Sequence, residues 1–215
     1  MLTSAISHLK AIDPVLRSII ERVGKCNLVP VKNHFAALLE AIVSQQLSVK
    51  ASATIFSRFL DLFPDKNPKP REMLAISDEC LRQAGLSKQK LAYVKDLADK
   101  FDKGLIKSRT FHRMSDEEII QALVQIKGVG RWTAEMFLIF SLNRLNALPV
   151  DDLGFRKAIK IAYRLRKLPN AEKIKRIAKR WHPTVRLRPG IYGPAWTTFR
   201  CNQRNKFYLG GIRFK

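Results

Sequence analysis

The stretch "QIKGVGRWTAEMFLIF", Gln125–Phe140, sets two glycines, Gly128 and Gly130, directly before an apolar run. Glycine loses more backbone freedom on folding than any other residue, so a Gly-x-Gly entry to a helix costs stability. Two needs justify it. One is a tight turn or close packing between helices. The other is a ligand that must reach bare backbone N–H groups at a helix start, where the partial charge is positive.

Upstream, Ser115 and Glu118 are spaced as a capping box before "IIQALVQI", which predicts a helix running up to the glycines. Downstream, the apolar run predicts a helix to about Leu142. Helix, bare turn, helix is a hairpin whose tip suits a sugar–phosphate backbone and reads no base sequence.

Further out the pattern stays helical. Phe35, Leu38, Leu39, Ile42 and Val43 fall at i, i+3, i+4, i+7 and i+8, one broad face, with Asn33 as the expected N-cap. A second helix is expected from Ser48 to Phe63, stopped by Pro64, and "PDKNPKP" reads as a loop. Helices are expected over Arg71–Ala84 and Lys88–Phe101, then from Asp151 or Asp152 to about Leu165, then over "AEKIKRIAKRW" after Pro169. No sustained alternating pattern predicts strands. The expected class is all-α.

Composition bounds the partners. The 215 residues are 46% hydrophobic, enough for one domain or two small lobes. Forty Lys/Arg against 18 Asp/Glu give a formal charge of +22, which attracts polyanions, nucleic acid first and an anionic membrane surface second. No apolar run is long enough to span a membrane, and the N-terminal sequence does not read as a signal peptide. Cys26, Cys80 and Cys201 are too few to ligate an iron–sulfur cluster and suit a reducing cytosol, nucleoid or nucleus rather than secretion. His8, His34, His112 and His182 show no metal-ligand spacing, so no metal or cofactor is expected.

"LVQIKGVGRWTAEMFLIF" followed by "LPVDDLGFRKA" resembles the helix–hairpin–helix (HhH-GPD) DNA glycosylase superfamily, in its 3-methyladenine DNA glycosylase II branch. Gly128, Val129, Gly130, Trp132, Thr133 and Ala134 match its motif in order, and Asp151-Asp152 stands at the family's spacing. "AIVSQQLSVKAS" and "LRQAGLSKQKLAYVKDLA" also read like it, so the resemblance covers roughly residues 10–183.

The resemblance implies two helical lobes flanking a DNA cleft, with the N-terminal helix packing on the C-terminal lobe. It implies a monomer acting on double-stranded DNA that contains alkylated bases, and no membrane association. Lys127, Gly128, Val129, Gly130, Arg131 and Thr133 would bind the DNA backbone. Trp132 and Phe35 would line the base pocket, although a core position suits Phe35 better. Gln46 or Leu47, beside Gln45, would wedge into the gap left by a flipped base.

Glycosidic cleavage builds positive charge on the deoxyribose, which a nearby carboxylate stabilises. The plain alternative for an Asp-Asp pair at a helix start is an N-cap. Carried over from the family, Asp152 is the catalytic acid and Asp151 its neighbour, a secondary candidate and the expected cap. Lyase relatives place a lysine where Trp132 stands, so the resemblance implies hydrolysis by water. The alternative is a helix–hairpin–helix DNA-binding protein without chemistry, or a decayed glycosylase.

The resemblance stops after "KRWHP". Residues 184–215 carry seven Lys/Arg and no acid, and their prolines and glycines oppose a helix. Either this is a divergent basic tail that adds DNA contacts, or it is read out of frame. One nucleotide restored after the Pro183 codon would permit "PYRTSPAWYLWTSLDNF", a family-like ending. Resequencing across that codon decides between them; a reproducible intact frame removes the second reading. Without the tail the charge remains about +15, so the expectation of a polyanionic partner does not depend on it.

Overall fold

A computed structural model describes residues 2–24, 31–144 and 147–181. Cys26, Cys201, His182 and the whole 184–215 tail lie outside the described residues. The described chain is helical without strands: α1 Leu2–Ile12, α2 Pro14–Val23, α3 His34–Val43, α4 Val49–Leu60, α5 Pro70–Ala75, α6 Asp78–Gln83, α7 Lys88–Asp102, α8 Asp116–Leu123, α9 Arg131–Phe140, α10 Leu153–Ala162 and α11 Ala171–Ala178. None of these is long and apolar enough to cross a membrane. The described residues form two compact units, one over 31–141 and one over 2–24 with 142–144 and 147–181.

In the first unit α3 is the central helix. Leu38, Leu39, Ile42 and Val43 are fully buried, and α3 packs on α4, α7 and α9. Its N-cap is Asn33, whose side chain accepts from the Ala36 amide at 3.0 Å. Phe35 packs on Phe101 of α7 with ring centres 5.2 Å apart. His34 stacks on Phe111 and meets Phe137 edge-on, and burial lowers its pKa. Each buried leucine contributes roughly 1.5–3 kcal/mol.

Several boundaries differ from the sequence expectation. The expected Arg71–Ala84 helix is two, because Ile76 is extended and Ser77 starts α6 by accepting from the Cys80 amide. The helix before Pro64 ends at Leu60, and Pro64–Lys66 forms a 3-10 turn. Helix α10 ends at Ala162 rather than near Leu165, where Arg164 takes a left-handed conformation at φ 51°. The last helix closes as a 3-10 turn over Lys179–Trp181.

The second unit is organised around a buried carboxylate. Asp13, 1% exposed, caps α2 by accepting from the Val15 and Leu16 amides at 3.0 and 3.2 Å. Its other oxygen accepts from the Tyr163 hydroxyl at 2.8 Å and the Trp181 indole N–H at 3.1 Å. A buried carboxylate persists only when its oxygens are satisfied, as these are. Burial first, then the Asp13 carboxylate, pushes the Tyr163 pKa up. Helix α1 packs on α2 and on the Lys179–Trp181 turn.

Candidate functional site

The glycine hairpin forms as expected. Helix α8 opens with the capping box, in which Glu118 receives from the Ser115 amide at 2.7 Å and Ser115 Oγ from the Glu118 amide at 3.3 Å. The turn then reaches α9 through Gly128 and Gly130. The two glycines answer different needs. Gly128 sits at φ +79°, and a Cβ there would lie 2.1 Å from the Tyr93 ring, so the fold itself demands glycine. Gly130 has an ordinary φ of −87°, and nothing lies within 4 Å of where its Cβ would stand. The fold does not require glycine at 130.

Gly130 is the N-cap of α9 and has no side chain to cap with. Helices α2, α3, α4, α6, α7, α8, α10 and α11 each receive a side-chain cap. First-turn amides have no acceptor within their own helix. A bare start with positive partial charge is suited to an anion.

The other residues expected at the DNA backbone divide. Lys127 is exposed, and its amide donates to Asp96 Oδ2 at 2.8 Å. Asp96 Oδ1 pairs with Lys100 at 2.7 Å. Burial opposes ionisation of Asp96, but these partners outweigh it and its pKa falls. Val129 is buried, and its amide donates inside the turn to Ile126 O at 3.0 Å, so it is an anchor rather than a contact. Thr133 is buried at 8% exposure, so its first-turn amide, rather than its hydroxyl, is the group left for the expected contact.

Arg131 is held by partners within the protein. Its guanidinium holds both oxygens of Glu117 at 2.9 and 2.7 Å, and its Nε meets Glu135 at 3.2 Å. Arg131 therefore staples α9 to α8. Hydrogen bonding from Arg131 brings the Glu117 pKa down to about 2.

Trp132 stands at the start of α9 with 43% exposure, an indole at the surface beside the glycine turn. Phe35 is a core residue at 4% exposure, packed on Phe101.

The expected wedge turn lies against the hairpin. Gln45 Nε2 donates to the Gly128 carbonyl at 2.8 Å. Beyond it Gln46 is exposed with φ +56°, and Leu47 is 36% exposed. A left-handed non-glycine residue costs on the order of 1–2 kcal/mol, and the surroundings must hold it.

In the other unit the Asp pair resolves against the expected cap. Asp152 is the N-cap of α10, its Oδ1 accepting from the Phe155 amide at 2.5 Å, and it is 7% exposed. Asp151 is exposed and caps nothing. The cap fixes the orientation of the Asp152 carboxylate.

Residues 39–183 match the HhH-GPD superfamily of base excision DNA repair proteins. The chain belongs to this superfamily. It is 38% identical to DNA-3-methyladenine glycosylase 1 of Schizosaccharomyces pombe, over 78% of this chain and 76% of that protein. It is 33% identical to the alkylbase DNA glycosidase-like protein mag2 of the same yeast, over 83% and 86%. Among solved structures, the S. pombe 3-methyladenine DNA glycosylase Mag1 in complex with abasic DNA superposes with a TM-score of 0.73 and 36% identity, over 84% of this chain and 90% of that one. A DNA-3-methyladenine glycosidase from Bacillus halodurans gives 0.73 and 35%, over 83% and 82%.

Within this HhH-GPD chain, sequence reading missed the support beneath the hairpin. Tyr93, Asp96 and Lys90 all lie on α7, and Lys90 Nζ donates to the carbonyls of Val43 and Gln45 at 2.7 and 2.8 Å. Their spacing in "KLAYVKD" was the available signal: positions 90, 93 and 96 recur every three residues along the helix.

Proposed function

We propose that this chain is a monofunctional glycosylase that hydrolyses the N-glycosidic bond of alkylated purines of the 3-methyladenine type in duplex DNA. The observation that carries the reading is Gly130: a glycine with open space around it and no conformational need for it, at an uncapped helix start. A phosphate oxygen needs that space and accepts from first-turn amides.

Charge supports the same partner and distributes it unevenly. Val31–Ser141 holds 17 Lys/Arg and 13 Asp/Glu, a net +4, while the rest of the chain holds 23 and 5, a net +18. On α11 and the turn after it, Lys173, Lys175, Arg176, Lys179 and Arg180 are all exposed. These cations attract the duplex non-specifically.

The lesion leaves the base stack to be reached. Trp132 offers an electron-rich face to a ring carrying positive charge. The carboxylate of Asp152 stabilises the oxocarbenium-like sugar and orients water towards the anomeric carbon. Water forms the new C–O bond as the C–N bond breaks, and its surplus proton passes to solvent. The purine leaves as a neutral base because its bonding electrons cancel its charge, so no strong acid is needed. Trp132 occupies the position where lyase relatives carry lysine, which supports water as the nucleophile. Hydrolysis leaves an abasic site.

Release of free base from methylated duplex DNA tests this. The wild-type protein should release 3-methyladenine and leave the strand uncut until alkali is added. Retained duplex binding with no base released would establish a binding protein instead.

A further inference from the structure

Helix α7 touches both working parts of the Val31–Ser141 unit. At one end, Lys90 Nζ donates to the carbonyls of Val43 and Gln45, at the C-terminal end of α3 and the start of the wedge turn. One turn on, the Tyr93 ring fills the space a side chain at Gly128 would need. Another turn on, Asp96 Oδ2 accepts from the Lys127 amide at 2.8 Å, and Lys100 anchors its other oxygen. Gln45 closes the loop by donating to Gly128 O. Lys90 and Asp96 are six residues apart, about 9 Å along a helix axis.

We propose that Lys90 is a positioning residue: through the Val43 and Gln45 carbonyls it registers the exposed Gln46–Leu47 turn against the glycine hairpin. The inference rests on the proposed function, in which the hairpin holds a strand and the turn enters the base stack. Insertion succeeds only when the held strand and the entering side chain keep a fixed separation. Gln46 needs such support, because its backbone is left-handed without being glycine. Lys90 suits the task. Its ammonium satisfies two carbonyls near a helix C-terminus, and burial lowers its pKa, as expected for a cation committed to the protein rather than to solvent. No DNA contact is required of it.

Two variants test this, Lys90→Met and Gln45→Leu, with Lys90→Arg as the conservative control. Three quantities are measured on each folded protein. The first is affinity for undamaged duplex by fluorescence anisotropy. The second is the fluorescence rise of 2-aminopurine placed beside an abasic-site analogue. The third is the single-turnover rate of 3-methyladenine release. Lys90→Met and Gln45→Leu should lose roughly tenfold to a hundredfold in release rate and most of the 2-aminopurine signal. Their affinity for undamaged duplex should stay within about twofold, because the phosphate contacts that dominate it are untouched. Lys90→Arg should recover much of both losses. The idea is overturned if Lys90→Met keeps the wild-type 2-aminopurine signal, or if signal and undamaged-duplex affinity fall together in both variants. The 2-aminopurine readout involves no bond cleavage. A wild type that raises the fluorescence but releases no base would refute the enzymatic reading and leave the positioning role standing.

Discussion

Arg131 grips Glu117 with two parallel hydrogen bonds, 2.9 and 2.7 Å, across the turn that joins α8 to α9. The pair has a pH signature. Glu117 has an ordinary pKa near 4.5, lowered to about 2 by Arg131. A depressed carboxylate contributes stability that is present above 4.5 and is lost as pH falls towards 2. Melting temperature should therefore fall through that window, and less steeply in Glu117→Gln. The glutamate is exposed, so the difference should be small.

The same pair predicts how Arg131 behaves towards DNA. A cation that contacts a phosphate adds about one to the slope of log affinity against log salt. Arg131→Ala should leave that slope nearly unchanged while lowering the melting temperature. A slope reduced by a full unit would return Arg131 to the DNA interface.

Substitution of Asp152 by asparagine separates the proposed chemistry from capping. Asparagine caps a helix about as well as aspartate, so Asp152→Asn should keep stability within a few tenths of a kcal/mol. It should nonetheless lose roughly a hundredfold or more in base release, because the anionic charge is gone. Asp151→Asn should change neither. Equal losses at both positions, measured by single-turnover release, would overturn the assignment of Asp152.

The two glycines should part in a similar way. Gly128→Ala meets the Tyr93 ring and a left-handed backbone. It should cost about 1–3 kcal/mol, a melting shift on the order of 5 °C. Gly130→Ala meets nothing, and its loss of stability should be confined to alanine's poorer N-cap, about 1 kcal/mol or less. Its deficit should appear in duplex affinity, measured by titration at fixed salt.

Alkaline stability should depend on Tyr163. Its pKa is raised by burial and by Asp13. A tyrosine kept neutral in the fold contributes stability present below its unfolded pKa of about 10 and lost as pH rises further. Melting temperature should drop above about pH 10 in the wild type, and more gently in Tyr163→Phe. Parallel curves would show that the hydroxyl makes no such contribution.

Features set by near neighbours were legible in the sequence. The α3 stripe, the Asn33 cap, the Ser115–Glu118 box and the glycine turn all arise within a few residues. What escaped depends on contacts between segments. Nothing local tells that Arg131 will find Glu117 fourteen residues back, or that Lys90 will reach carbonyls 45 and 47 residues away. The cap of α10 was misplaced for a narrower reason. Asp151 and Asp152 have the same side chain, and only the backbone path after Pro149 decides which one meets the Phe155 amide. Phe35 sits in a helical stripe that reads alike for a core and for a pocket wall. Only its contact with Phe101 distinguishes them.

Asp13 has a consequence for how the molecule is made. Its partners Tyr163 and Trp181 lie 150 and 168 residues downstream. During synthesis the Val31–Ser141 segment is complete and free to fold while the earliest helices still lack their neighbours. Asp13 must wait for its full set of donors until Trp181 has left the ribosome. Closing so distant a contact is slow. A chain cut short before Trp181 would strand Asp13 without its indole donor, and such truncations should be recognised by proteases even when the hairpin is intact.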